Sequence, residues 1–163
     1  MINLIASRVD EAWALLREVL DPEVPAVSIV ELGIVREVRD DGDTLTVVLT
    51  PTYSGCPATE AIEADVRKAL LAFEPVKIEL QRSPAWTTDW IGPEAREKLR
   101  AYGIAPPTGT SAVEQPLRLH EAIPCPRCGS ARSERLSAFG STACKALYRC
   151  TACREPFEYF KPI

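Results

Sequence analysis

Two C-x-x-C pairs, Cys125/Cys128 and Cys150/Cys153, stand 21 residues apart near the end of a 163-residue chain. Nothing else constrains the fold as strongly, because four thiols at this spacing suit one tetrahedral metal ion. Each pair reads as a knuckle: two thiolates three positions apart, on a backbone turned so that its N–H groups face sulfur. Cys125-Pro-Arg-Cys-Gly129 has the composition of such a turn, since glycine takes the positive φ that closes it without a Cβ clash. Two knuckles on separate hairpins build a closed zinc site of the ribbon type, with Cys125, Cys128, Cys150 and Cys153 as ligands. An iron centre, a pair of disulfides and a redox C-x-x-C are the competing readings. Disulfides do not suit a chain without an export signal, and a redox motif normally comes once, beside a βαβ pattern. A closed four-thiolate site has no open position, so chemistry must come from elsewhere in the chain.

The length allows one ordinary domain of about 100 residues plus a small module. Hydrophobic residues make up 46 %, a globular proportion. No apolar run approaches the roughly 20 residues that a membrane-spanning helix needs. Met1 to Val9 show no basic start followed by an apolar stretch, so the expected location is a reducing cytoplasm with no membrane partner. Charge is uneven. Residues 1–104 carry 11 Lys and Arg against 18 Asp and Glu, a balance of −7, whereas residues 121–163 carry 7 against 4, a balance of +3. A basic ribbon fits nucleic acid or a protein partner; the acidic body of the same chain argues against nucleic acid.

Ser7 followed by Asp10 and Glu11 looks like a helix start, and Val9, Trp13, Leu16 and Leu20 recur at helical spacing. The spacing predicts a helix over 9–20, ended by the prolines of Asp21-Pro-Glu-Val-Pro25. Two strands, 34–39 and 44–50, flank the turn Asp40-Asp-Gly-Asp43, and the alternation of Leu45, Val47 and Leu49 predicts a half-buried strand. A helix over 58–73 and a strand over 76–81 follow. That order predicts an α+β domain with helices covering a small sheet. A short helix is expected over 93–102. The expected organisation is a first domain at 1–104, a Pro- and Thr-rich linker at 105–121, and a ribbon at 122–163. The one histidine, His120, falls in the linker and reads as a solvated bystander, so a Cys–His hydrolase is not expected.

Cys56 stands in Ser54-Gly-Cys-Pro57, with Pro57 in the place of a first helical residue. At the amino end of the second helix, unsatisfied N–H groups favour a thiolate. Gly55 allows close backbone approach, and the Thr52 and Ser54 hydroxyls are candidate partners for the sulfur. The alternative is a small residue filling a strand–helix corner.

Asp21-Pro-Glu-Val-Pro25, Val30-Glu-Leu-Gly-Ile-Val35 and Thr50-Pro-Thr-Tyr-Ser-Gly-Cys-Pro57 resemble the family of small iron–sulfur-assembly domains that includes SufT-like proteins. The resemblance covers roughly residues 8–82. It implies delivery or maturation of iron–sulfur clusters, with Cys56 as the reactive or cluster-handling thiol. Asp21, Glu23, Glu31, Thr50 and Thr52 then match positions around the same pocket. The whole chain, with Trp86-Thr-Thr-Asp-Trp-Ile91 and Phe139-Gly-Ser-Thr-Ala-Cys-Lys-Ala146, is similar to the PaaD (also PaaJ) family of bacterial phenylacetyl-CoA 1,2-epoxidase systems. That resemblance implies a monooxygenase accessory subunit in aerobic phenylacetate degradation, with oxygenase and reductase subunits and iron–sulfur assembly proteins as partners. The chain has no Glu-x-x-His pair for a di-iron site and no Gly-x-Gly-x-x-Gly for a dinucleotide. On its own residues it is not expected to catalyse oxygenation or carry electrons.

Cys144, the sixth thiol, is either a small residue in a hairpin or a partner of Cys56 in holding transient iron or a cluster. Trp86 and Trp90, four apart, read either as core plugs or as an exposed partner-binding patch. The expected cofactors are structural zinc and transient iron or an iron–sulfur cluster at Cys56. The competing functions are a scaffold subunit without metal delivery and a nucleic-acid-binding regulator.

Overall fold

The computed structural model describes residues 7–108 and 122–163. His120, linker residues 109–121 and the first six residues lie outside the described ones. The chain forms two compact units, Met1–Trp86 and Thr87–Ile163. No helix among the described residues is long and apolar enough to cross a membrane.

The first unit opens with helix α1 (Arg8–Leu16), started by a capping box in which Ser7 Oγ accepts from the Asp10 amide and the Asp10 carboxylate accepts from the Ser7 amide. This helix is shorter than its apolar spacing predicted. Past Arg17 the backbone bonds to a returning segment instead: the Asp21 amide donates to Val27, the Ile29 amide to Val19, and Leu20 pairs with Ser28. Strands β1 (Val35–Asp40) and β2 (Leu45–Leu49) form an antiparallel hairpin around Gly42, whose φ of +91° suits a residue without a Cβ. Helix α2 (Ala58–Ala69) and a single 3-10 turn (Leu71–Phe73) carry the chain to β3 (Val76–Leu80), which lies parallel to β2.

The sheet order is β1-β2-β3, which makes β2 central. All five of its residues are buried, Thr46 and Val48 included, so the predicted half-buried strand is in fact covered on both faces. Alternation in sequence overstated the polarity of one face; Thr46 tolerates burial because its hydroxyl donates to Asp41 at 2.9 Å. Ala12 and Leu16 of α1, and Ile62 and Val66 of α2, supply the buried helix faces. Trp86 closes this unit, 3 % exposed, its indole N–H donating to the Leu32 carbonyl at 2.9 Å.

The second unit begins with a 3-10 turn (Thr88–Trp90) and helix α3 (Pro93–Tyr102), which ends where Gly103 takes φ +99°. Strands β4 (Ile104–Ala105), β5 (Ser133–Ser137), β6 (Lys145–Cys150) and β7 (Pro156–Phe160) form one sheet ordered β4-β7-β6-β5. Its core holds Ala105, Ile123, Ala146, Tyr148, Phe157 and Tyr159 beside two of the cysteines. The Tyr148 ring stacks on Phe157 and meets Tyr159 edge-on, the arrangement that ring quadrupoles favour.

β4 pairs with β7 through Ile104↔Glu158 and Ala105↔Tyr159. Residues 93–104, read from sequence as the end of the first domain, therefore fall in the same compact unit as the ribbon, which begins at Thr87, and β4 adds Ile104 and Ala105 to its sheet. Trp86 and Trp90 fall accordingly into different units: Trp86 is a core plug, while Trp90 is half-buried in the second.

Candidate metal centre and the thiol loop

The two knuckles share one backbone design. In the first, the Cys125 amide donates to Ser130 O at 2.9 Å and Gly129 sits at φ +73°. In the second, the Cys150 amide donates to Glu155 O at 3.0 Å and Arg154 sits at φ +69°. Each thus closes through a left-handed residue next to its second cysteine, and only the first uses glycine there. The four sulfurs gather within 4.8 Å of one another. The short separations run across the knuckles, Cys125 to Cys153 at 3.8 Å and Cys128 to Cys150 at 3.6 Å.

Sulfurs bound tetrahedrally to zinc at about 2.3 Å stand about 3.8 Å apart, so these separations fit that ion. All six cysteines are free, which removes the disulfide reading. Cys125 and Cys150 are buried, whereas Cys128 and Cys153 reach the surface. The backbone amides of Cys153 and Ala152 point at the Cys150 sulfur and, against the effect of burial, pull its pKa down to about 6. Cys153 has the help of the Glu155 amide but is driven up by burial and by the sulfurs of Cys150, Cys128 and Cys125. Cys150 is thus poised as a thiolate, and the crowded sulfurs oppose ionisation of Cys153 until a cation sits among the four. Cys125, Cys128, Cys150 and Cys153 would hold zinc, which when bound cross-links the two knuckles. With four protein ligands there is no vacant position for substrate.

The other candidate thiol lies in the first unit, in the loop joining β2 to α2. Thr50 anchors the loop by donating its amide to Ile34 O at 2.8 Å. The Thr50 hydroxyl is buried with no hydrogen-bond partner among the described residues, and Thr52 is buried as well. Cys56 is half-buried; its amide donates to Tyr53 O and its carbonyl accepts from the Thr59 amide, both at 3.2 Å. Pro57, rather than Cys56, occupies the cap position of α2, and no side chain caps that end. The loop therefore fixes the backbone of Cys56 and leaves the residue half-buried beside the start of a helix.

The acidic residues grouped with this loop have identifiable backbone partners. Asp21 is 5 % exposed, and its Oδ1 accepts from the amides of Glu23 and Val24 at 2.9 and 2.8 Å. Glu31 accepts from the Ser28 amide, and Ser28 Oγ accepts from the Glu31 amide in return. These carboxylates hold the turns of the segment from 21 to 34; Glu23 enters that arrangement through its backbone. Cys144 is buried in the β5–β6 loop, its sulfur 3.0 Å from the Thr142 hydroxyl.

Two features escaped the sequence. Lys145 and Glu158 form an ion pair 2.9 Å long with the lysine side chain 3 % exposed; residues 13 apart on neighbouring strands leave no periodic signal. Arg154 in the left-handed region is not signalled by its residue type, but its match to Gly129 in knuckle position could have found it.

Family models match both parts in order: an iron–sulfur cluster assembly protein over residues 10–80 and a PaaD zinc beta ribbon domain over residues 109–161. An Escherichia coli (strain K12) protein, named as one subunit of a "Putative 1,2-phenylacetyl-CoA epoxidase", is 52 % identical over 165 residues, covering 100 % of this chain and 98 % of its own length. A Porphyromonas gingivalis Fe-S protein maturation auxiliary factor is 37 % identical, over 61 % of this chain and 97 % of its own. Among solved structures, a domain of unknown function DUF59 from Bacillus anthracis superposes with a TM-score of 0.51 at 30 % identity, over 56 % of this chain and 90 % of that one. The ribbon with its four gathered sulfurs, the assembly-type unit before it and the end-to-end likeness agree, and the chain belongs to the PaaD family of phenylacetyl-CoA epoxidase subunits.

Proposed function

We propose that this chain is an accessory subunit of a phenylacetyl-CoA epoxidase system that matures an iron or iron–sulfur centre in one of the catalytic subunits. Cys56 is the working thiol, and the metal is cargo rather than a resident cofactor. The observation that carries this reading is the division of thiols between the units. Four are gathered where a bound zinc leaves no open position, and Cys56 stands half-exposed at the amino end of α2, in the stretch matching iron–sulfur assembly proteins. A thiolate is a good ligand for iron and releases it by exchange when a partner offers more sulfurs. The unpartnered Thr50 hydroxyl at the start of the same loop adds a buried polar atom where cargo would approach. On this reading the chain's contribution to the reaction is indirect. Cys144, buried in the second unit with its sulfur beside the Thr142 hydroxyl, takes no part in this reading.

The test is the iron content of the oxygenase and reductase subunits co-expressed with the chain, without it, and with its Cys56→Ser form. Iron that falls in one subunit both without the chain and with the variant identifies the client. Full iron in all three discards maturation and leaves a scaffold subunit as the account.

A further inference from the structure

We propose that the β5–β6 loop, centred on Phe139, is a docking surface for an acidic face of a partner protein. It rests on the accessory reading above for its choice of partner, an epoxidase subunit, and on the following geometry for the surface itself. Phe139 is 63 % exposed, an unusual exposure for so large an apolar ring. The loop that presents it is pinned from several sides. The Phe139 amide donates to Ser137 Oγ at 3.2 Å, the Gly140 amide to Lys145 O at 2.7 Å and the Ser141 amide to Glu158 at 2.6 Å. Behind these bonds stands the Lys145–Glu158 ion pair. A Cβ on Gly140 would meet Glu158 Oε1 at 2.5 Å, so a side chain there would push the carboxylate away from the Ser141 amide. An exposed aromatic held in one place costs little conformational entropy to dock, which is the property of an interface anchor.

The charges around the ring select the partner. Lys161 places its ammonium 4.5 Å from the Phe139 ring centre and donates to Ala138 O at 3.0 Å. Arg135 is close enough for its charge to act on Lys161. The nearby carboxylates are already engaged, Glu158 by Lys145 and Glu134 by Arg149. An apolar anchor with one cation over its ring and a second acting on that cation calls for an acidic face with an apolar recess. Docking is through side chains rather than by strand addition. β5 is the edge of its sheet, but Leu136 is an extra residue bulged between Arg135 and Ser137, and a bulge blocks edge pairing. Leu136, 50 % exposed, widens the apolar surface of the same edge.

The experiment is co-purification of the full-length, zinc-loaded chain with the co-expressed epoxidase subunits, followed by Kd measurement with each subunit at two salt concentrations. Phe139→Ala and Arg135→Glu are compared with wild type after zinc content and far-UV spectrum show both to be folded. The expected result is a complex weakened by salt and weakened at least tenfold by either variant, with Phe139→Leu intermediate. A complex indifferent to both variants overturns the docking surface and leaves the maturation reading standing. The absence of any complex also overturns it, while iron content still decides maturation separately. Phe139-dependent self-association, or Phe139-dependent binding of a single-stranded oligonucleotide probe without subunit binding, overturns it in favour of a second copy or of nucleic acid.

Discussion

Lys145 on β6 and Glu158 on β7 meet at 2.9 Å, with the lysine side chain 3 % exposed and the glutamate 22 %. The same carboxylate accepts the Ser141 amide, so one buried pair ties two strands to the loop between β5 and β6. Removing either partner leaves the other charge in poor surroundings, which is costlier than removing both.

Glu158→Gln should therefore lower the stability of the second unit by about 2–3 kcal/mol, below the ~3–5 of a fully buried pair because the carboxylate keeps some solvent. Lys145→Met in the same chain should restore much of that loss. Burial tends to raise the Glu158 pKa, but the Ser141 amide and the Lys145 ammonium prevail and hold it below the ordinary 4.5. A depressed folded value means that the stabilisation is present above pH 4.5 and is lost as pH falls through the folded value. Denaturation series at neutral pH and at steps below 4.5 should show wild type losing this increment and Glu158→Gln lacking it. Equal stability of the two proteins at neutral pH would refute the account.

The two knuckles differ at one matched position, and the difference sets up an asymmetric exchange. Gly129→Ala forces a Cβ into the left-handed region and should cost about 1 kcal/mol, with weaker zinc retention. Arg154→Gly relieves the same kind of strain while adding unfolded-state freedom, so its net effect should stay within about 0.5 kcal/mol of wild type. Zinc competition with a chromophoric chelator reads both. A comparable loss for the two variants would show that Arg154 side-chain contacts, not backbone geometry, govern the second knuckle.

Zinc at the four sulfurs should account for most of the ribbon's folding free energy, since structural zinc supplies about 10–16 kcal/mol to small modules at neutral pH. Elemental analysis should find one zinc per chain, and Cys150→Ser or exhaustive chelation should abolish amide protection across β5, β6 and β7. Hydrogen exchange in β1, β2 and β3 should be unaltered. A Cys150→Ser protein that keeps its zinc and its protection would exclude Cys150 as a ligand.

The four cysteines were legible because a knuckle is local: two thiols, a turn and a residue at positive φ occupy five consecutive positions. The capping box at Ser7 and the stop at Gly103 are local for the same reason. Cys56 was legible as a loop thiol from its neighbours, although only the backbone placed Pro57 at the cap and left Cys56 outside the helix. Central burial of β2 was not legible, since alternation along one strand carries no information about what covers its second face. The fate of residues 93–105 depended on whether Ile104 and Ala105 found a partner strand, and that strand, β7, lies more than fifty residues later. Lys145 and Glu158, likewise, are ordinary surface residues in sequence, and only the pairing of β6 with β7 buries their charges together. Short-range geometry determined the ligands and caps; the choice between buried and exposed, paired and free, was made by contacts between distant segments, whose energies exist only once the chain has closed on itself.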